Sequence, residues 1–118
     1  MKLDLKELLA KITEQTEFKT LLWENPNVSL GKGAFTVTLP KAYGAYLVTY
    51  ALDTGNGHHV NSFVFADGVN STASVISSGK NYARSVSISG TTASFSNGWF
   101  DQSENSNAMI PVAIYGIK

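Results

Sequence analysis

The sequence predicts an all-β domain: an antiparallel, jelly-roll-like β-sandwich of about eight strands, entered through a short N-terminal α-helix. Three observations carry that expectation. From Phe18 onward apolar and polar residues alternate with period two, the spacing of a strand with one covered face. Turn-forming pairs, Asn56-Gly57, Asp67-Gly68 and Ser78-Gly79 among them, break the alternation at short intervals, as in a stack of antiparallel hairpins. The last nine residues, Ile110 to Lys118, set Ile110, Val112 and Ile114 on one face of an extended chain and Ala113, Tyr115 and Ile117 on the other, so this strand needs cover on both sides.

Residues 1–17 are a different kind of sequence from residues 18–118. Four of the nine basic and four of the nine acidic residues fall before residue 20. Among them Leu5, Leu8 and Ile12 take a, d and a positions of a heptad, with Leu9 widening the stripe. Asp4 and Glu7 have the spacing of a capping pair, and Glu7 to Lys11 is the favourable i to i+4 order. Two arrangements suit this amphipathic helix: packing on its own domain's sheet, or a short parallel bundle between subunits. Two heptads do not hold alone, so a bundle would depend on the domain that follows.

The strands then follow in order. Phe18 to Trp23 alternates, and Ala34 to Leu39 buries Phe35, Val37 and Leu39 before stopping at Pro40. Tyr43 to Asp53 is the longest, with Tyr46, Val48, Tyr50 and Leu52 on one face; Thr54-Gly55-Asn56-Gly57 turns it into His58 to Ala66. Thr72 to Ser78 carries Val75 and Ile76, and Tyr82 to Ser89 sets Arg84, Val86 and Ile88 against Ser85, Ser87 and Ser89. Gly90 leads into Thr91 to Ser96. Asn97 to Asn107 reads as one long irregular loop holding Trp99, Phe100, Asp101 and Glu104, and such loops on a rigid scaffold are where binding usually resides.

Composition excludes several functions. One domain of 118 residues builds one core. Charged residues are 15%, and Ser, Thr and Asn fill the difference, so the surface is polar without being charged. A formal net charge of zero argues against nucleic acid, which demands a basic stripe, and against an anionic membrane surface. Without cysteine there is no disulfide, thiolate nucleophile or cysteine zinc site. Lys2, Asp4, Lys6, Glu7 and Lys11 interrupt the first leucines, which is unlike a signal peptide, and no apolar run is long enough for membrane insertion.

The residues offer little for catalysis, and no enzyme activity, metal or cofactor is expected. His58 and His59 are adjacent, so in a strand they face opposite ways and do not share an ion. No serine sits in a Gly-x-Ser-x-Gly elbow. Asp101 and Glu104, in a loop, lack the fixed separation a glycosidase gives its two carboxylates. Recognition remains. Aromatic faces that stack on sugar C–H surfaces, beside amides and carboxylates that bond hydroxyls, single out Trp99, Tyr82, His58, His59, Asn56, Asn61, Asp101 and Asn105 as candidate ligand-binding positions.

Three segments carry a resemblance. The ending Ile110-Pro111-Val112-Ala113-Ile114-Tyr115-Gly116-Ile117-Lys118, the entry Leu22-Trp23-Glu24-Asn25-Pro26-Asn27, and the late pair Val86-Ser87-Ile88-Ser89 with Ala93-Ser94-Phe95-Ser96-Asn97-Gly98 resemble the C-terminal receptor-binding domains of bacteriophage and prophage fibre proteins of tail-fibre or head-fibre type. The resemblance covers roughly residues 21 to 118. It implies a virion component, assembled in the bacterial cytoplasm and released by lysis. It also implies a homotrimer that contacts a bacterial surface polysaccharide or teichoic-acid-like glycan and other virion proteins. Leu5, Leu8, Ile12, Ile114, Tyr115 and Ile117 are then the expected subunit contacts. Two further classes fit the same residues: a purely structural decoration or assembly protein, and a non-viral carbohydrate-binding module.

Overall fold

Period-two alternation becomes two antiparallel sheets in a computed structural model that describes residues 4–7, 18–54 and 60–118. The described residues form ten strands: β1 (Lys19–Glu24), β2 (Phe35–Thr38), β3 (Ala45–Asp53), β4 (Val60–Ala66), β5 (Asn70–Ser77), β6 (Lys80–Ser89), β7 (Thr92–Phe95), β8 (Trp99–Phe100), β9 (Ser103–Glu104) and β10 (Ala108–Ile117). One sheet runs β1-β10-β3-β4; the other runs β2-β7-β6-β8-β9, with β5 on the far side of β6. The first and last strands pair, as do β2 and β7, which gives the outer strands a jelly-roll-like wrapping, while β3-β4 and β5-β6-β7 are local hairpins. Ser78 and Gly79 both have positive φ, 52° and 76°, the type I′ geometry that matches the twist of β5 and β6.

The alternating residues meet between the sheets. Tyr46, Val48, Tyr50 and Leu52 of β3 and Ile114 of β10 face Ala73, Val86, Ile88, Ala93 and Phe95 of the other sheet. Trp23 joins this core: its ring lies 5.9 Å from Phe35 and 6.2 Å from Phe95, which stack on each other at 4.9 Å. Ile114 is fully enclosed. It therefore belongs to its own chain's core and not, as the sequence suggested, to a contact between copies. Tyr115 and Ile117 lie on the opposite face, half-buried. There Leu21, Tyr115, Leu47 and Val64 stand side by side across all four strands, an apolar row on the outside of the sheet.

A proline inside a central strand removes one ladder donor, and β10 accommodates Pro111 at a register shift between Pro111 and Ala113. Asn25 closes the gap. Its Nδ2 donates to the Pro111 carbonyl at 2.8 Å, its own N–H donates to the Val112 carbonyl at 2.8 Å, and its Oδ1 accepts from the Asn27 N–H at 2.9 Å. The Trp23-Glu24-Asn25-Pro26 and Ile110-Pro111-Val112 segments are thus one structural unit, which is the physical reason for their residue choice.

At the N-terminus residues 5–7 are helical, and the Glu7 N–H donates to Asp4 Oδ1 at 2.8 Å, the capping bond the Asp4/Glu7 spacing suggests. Leu5 is 71% exposed. Leu8 and Ile12 lie outside the described residues.

Two polar groups inside the sandwich behave in opposite ways. Arg84, on the inward face of β6, is fully buried and bonded throughout, as described below. The Tyr50 hydroxyl is buried without a hydrogen-bond partner among the described residues, and burial pushes its phenol pKa far above the ordinary value, opposed by the nearby Arg84 charge. A raised folded pKa means that the protonated phenol's contribution to stability is complete below the unfolded value near 10 and is lost as pH climbs beyond it. Tyr50→Phe is therefore expected to leave neutral-pH stability unchanged or raised by up to about 1 kcal/mol. Above pH 10 it should remove a loss of about 1.4 kcal/mol per pH unit in the wild type. Urea unfolding at pH 7 and across the alkaline range measures both.

Candidate functional site

The end of the sandwich where β3 finishes and β10 begins contains a cleft of about 170 Å³ lined by Asp53, Tyr82, Phe100, Asn105, Asn107 and Ala108. Strand register places each wall. Asp53, the last residue of β3, pairs with Ala108, the first of β10. Across the sandwich Tyr82 of β6 pairs with Phe100 of β8, and their rings meet edge to face at 5.1 Å. Asn105 and Asn107 come from the connection between β9 and β10, where Asn105 Oδ1 accepts from the Asn107 N–H at 2.9 Å and shapes a tight turn.

Arg84 holds this wall in place. Its Nε donates to the Met109 carbonyl at 2.7 Å, and Nη1 donates to the carbonyls of Ser96 at 2.7 Å and Gly33 at 3.2 Å. Nη2 donates to Lys32 at 2.8 Å, Ala108 at 3.0 Å and Ser106 at 3.3 Å. One planar fork thereby gathers three stretches of backbone, 32–33, 96 and the 106–109 entry to β10, with no carboxylate involved. Met109, at a positive φ of 47°, is kept in that uncommon conformation with its carbonyl on Nε. Burial draws the guanidinium pKa down to about 10, so at neutral pH it stays protonated and every donor remains available.

Gly98 sits against the same structure. A Cβ there would run into the carbonyls of Ala108 and Asn105 and the Arg84 guanidinium. Gly98→Ala is expected to cost roughly 1–3 kcal/mol by overpacking and to displace the Asn105 wall. Denaturant unfolding checks the first effect, and the amide shifts of Asn105 and Asn107 check the second.

Of the ligand-binding candidates, the structure brings Tyr82 and Asn105 into one cleft. Trp99 is adjacent to Phe100 in β8, so it points to the other side of the strand, 40% exposed and paired across from Glu104. Asp101 is an exposed turn residue with a φ of 59°, held by its N–H donating to the Asn81 carbonyl and by an ion pair to Lys80 at 3.8 Å. Asn61 lies in β4, its backbone opposite Tyr50 in β3. Asn56, His58 and His59 lie outside the described residues. The segment 97–107, expected as an irregular loop, is a small hairpin of β8 and β9 whose first strand adds to β6.

Sequence reasoning passed over Asp53, Phe100 and Asn107. Asp53 is the most telling, because its Oδ1 is buried without a hydrogen-bond partner among the described residues. A carboxylate oxygen in that state draws donors to itself. Among the described residues no cluster of three or more His, Asp or Glu side chains is placed to hold a metal ion. No helix of the described residues is long and apolar enough to cross a membrane.

Chemically, the described residues of the cleft offer aromatic surface, two side-chain amides and one carboxylate, with no cation among them. At about 170 Å³ it is smaller than the roughly 300–1,000 Å³ of a drug-sized pocket, the scale of a single ring. Comparison of the chain with protein-family models, curated proteins and solved structures gives no match.

Proposed function

We propose that this chain is a bacteriophage fibre or receptor-binding domain, assembled as a homotrimer in the virion, which recognises a bacterial cell-surface glycan through the Asp53–Tyr82–Phe100–Asn105 cleft. The observation that carries the reading is the pairing of an aromatic wall with a buried carboxylate oxygen that has no partner among the described residues, at one end of a sandwich. A pyranose presents both complements, a C–H face for the ring and hydroxyl donors for Asp53 and the amides. The described residues of the lining include no cation, which favours the sugar part of a polysaccharide or teichoic-acid-like polymer over its phosphodiesters. The resemblance of residues 21 to 118 to fibre domains supports the virion context, and linking three weak sites in one trimer multiplies their affinity for a repeating polymer.

A screen of purified bacterial wall and capsular polysaccharides by saturation-transfer NMR tests the reading. Transfer to sugar ring protons is expected with the wild type and is expected to vanish with Tyr82→Ala. Transfer that survives this substitution, or no transfer from any polysaccharide, rejects the cleft as a glycan site. The second outcome favours the structural decoration role, for which the apolar row Leu21-Tyr115-Leu47-Val64 is itself an argument.

A further inference from the structure

Sheet edges expose unpaired N–H and C=O groups, and proteins guard them with charges, proline, bulges or brevity. Some edges of this sandwich are guarded in that way. Strand β1 begins at Lys19, ends at Glu24 before Pro26, and is interrupted by a register shift between Leu21 and Trp23. Strand β2 has four residues and β9 has two.

The remaining two edges are unguarded. Strand β4, Val60–Ala66, and strand β5, Asn70–Ser77, have seven and eight residues, none of them charged and none proline. Both pair with their inner neighbours in unbroken register, β4 with β3 and β5 with β6, and among the described residues neither has a second partner. Among the described side chains each also carries one large apolar group on its solvent face, Val64 at 64% and Ile76 at 76% exposure.

These two edges flank the same side of the sandwich. The chain passes from β4 to β5 through Asp67-Gly68-Val69. Between the strands lies a groove of about 270 Å³ that reaches the core, lined by residues including Phe63 and Phe65 of β4 and Thr72 and Ala73 of β5. Sheet-to-sheet packing is left open here.

We infer that this side is the seam along which copies of the chain join, with β4 of one copy lying beside β5 of the next and the open sides turned toward a common axis. The inference rests on the homotrimeric reading and gives it a seam at the β4 and β5 edges, apart from the contacts at Leu5, Leu8, Ile12, Ile114, Tyr115 and Ile117 that the sequence suggests. A second copy is the fitting occupant for three reasons. The two edges match in length, so one copy supplies the strand the other lacks. Neither edge has charge, so identical chains meet without like-charge repulsion, whereas a charged foreign strand would find no counter-ion. The contact is also heterologous, and three such contacts close a ring that leaves no unguarded edge.

Light scattering on purified protein tests this with exposed substitutions that spare the core. Val64→Lys and Ile76→Lys are each expected to raise the concentration at which half the chain is assembled by roughly 100-fold or more, as burial of an unpaired charge at an interface does. Leu21→Lys, an equally apolar site at 48% exposure on the guarded edge, and Val64→Thr, which keeps the strand-forming branch, are expected to leave the mass unchanged. Circular dichroism confirms that each variant is folded. A wild-type trimer that persists in both Val64→Lys and Ile76→Lys overturns the seam while leaving the homotrimer intact, as does a trimer dissociated only by Leu21→Lys. A wild-type monomer overturns both.

Discussion

Replacing Arg84 with methionine is expected to destabilise the domain by at least about 4 kcal/mol, a large part of the 5–15 kcal/mol that a domain of this size has in total. The side chain is fully buried and donates to six backbone carbonyls, those of Lys32, Gly33, Ser96, Ser106, Ala108 and Met109. Methionine fills much of the volume but satisfies none of these acceptors, and each buried carbonyl left without a donor costs about 1–3 kcal/mol where water does not reach it. A buried ion pair can be exchanged for apolar residues at little loss because both charges leave together. Here the acceptors are main chain and remain. Lysine is not a substitute: three donors on a point-like ammonium do not reproduce a planar fork of five, so Arg84→Lys is expected to lose nearly as much as methionine does. Urea unfolding of the three proteins at pH 7 measures the difference. Retention of wild-type stability by Arg84→Lys would show that charge and not fork geometry is what the site requires.

Tyr82→Ala is expected to weaken glycan binding by roughly 30-fold per site, the order of 2 kcal/mol associated with an aromatic anchor at a recognition surface. Tyr82 forms one wall of the cleft and braces Phe100 edge to face, so its loss removes stacking area and loosens the second ring together. In a trimer engaging a repeating polymer the loss compounds across three sites, and adhesion to cells should fall by far more than the single-site change. Trp99→Ala is the informative companion. Trp99 is more exposed than Phe100 and is the more conspicuous aromatic in the sequence, yet it faces away from the cleft, and its replacement is expected to leave binding within about twofold, a change well below 1.4 kcal/mol. Binding isotherms with a soluble oligosaccharide give the per-site values, and whole-cell adsorption gives the compounded one.

Much of the fold was legible because period-two alternation is a direct consequence of strand geometry. The eight strands marked by that alternation are all present, and the turns at Asp67-Gly68 and Ser78-Gly79 fall where glycine or a small polar residue supplies a positive φ. The two extra strands, β8 and β9, have two residues each, too few for any period to show. The two-sided apolar pattern of β10 called for cover on both faces; the core covers the Ile114 face, and Tyr115 and Ile117 lie half-buried on the outside of the sheet. It did not tell which face meets the core, and Ile114 and Tyr115 divide accordingly.

The cleft was legible only in part. Tyr82 and Asn105 were marked by residue type, but adjacent strand residues face opposite ways, and sequence alone does not say whether Trp99 or Phe100 turns inward. Asp53 ends a strand that any turn would follow, and nothing local distinguishes it from a solvated carboxylate; the burial of its Oδ1 without a partner among the described residues is a tertiary fact. Arg84 is the clearest case. On a face with Val86 and Ile88 it breaks the apolar pattern, and such a break reads as an edge position or a snorkelling side chain. Its carbonyl partners lie between 12 and 52 residues away in the chain, in segments with no pattern of their own. A lone charged residue on an otherwise apolar strand face is the one signal that pointed to it.

Amide chemical-shift mapping of the labelled protein, titrated with the sugar that the polysaccharide screen identifies, tests the central claim most directly. The account predicts saturable shifts grouped on Asp53, Tyr82, Phe100, Asn105, Asn107 and Ala108, with Leu21, Leu47 and Tyr115 on the outer face unmoved. Saturable shifts centred on that outer face, or on the groove between β4 and β5, with the cleft residues still, would contradict it.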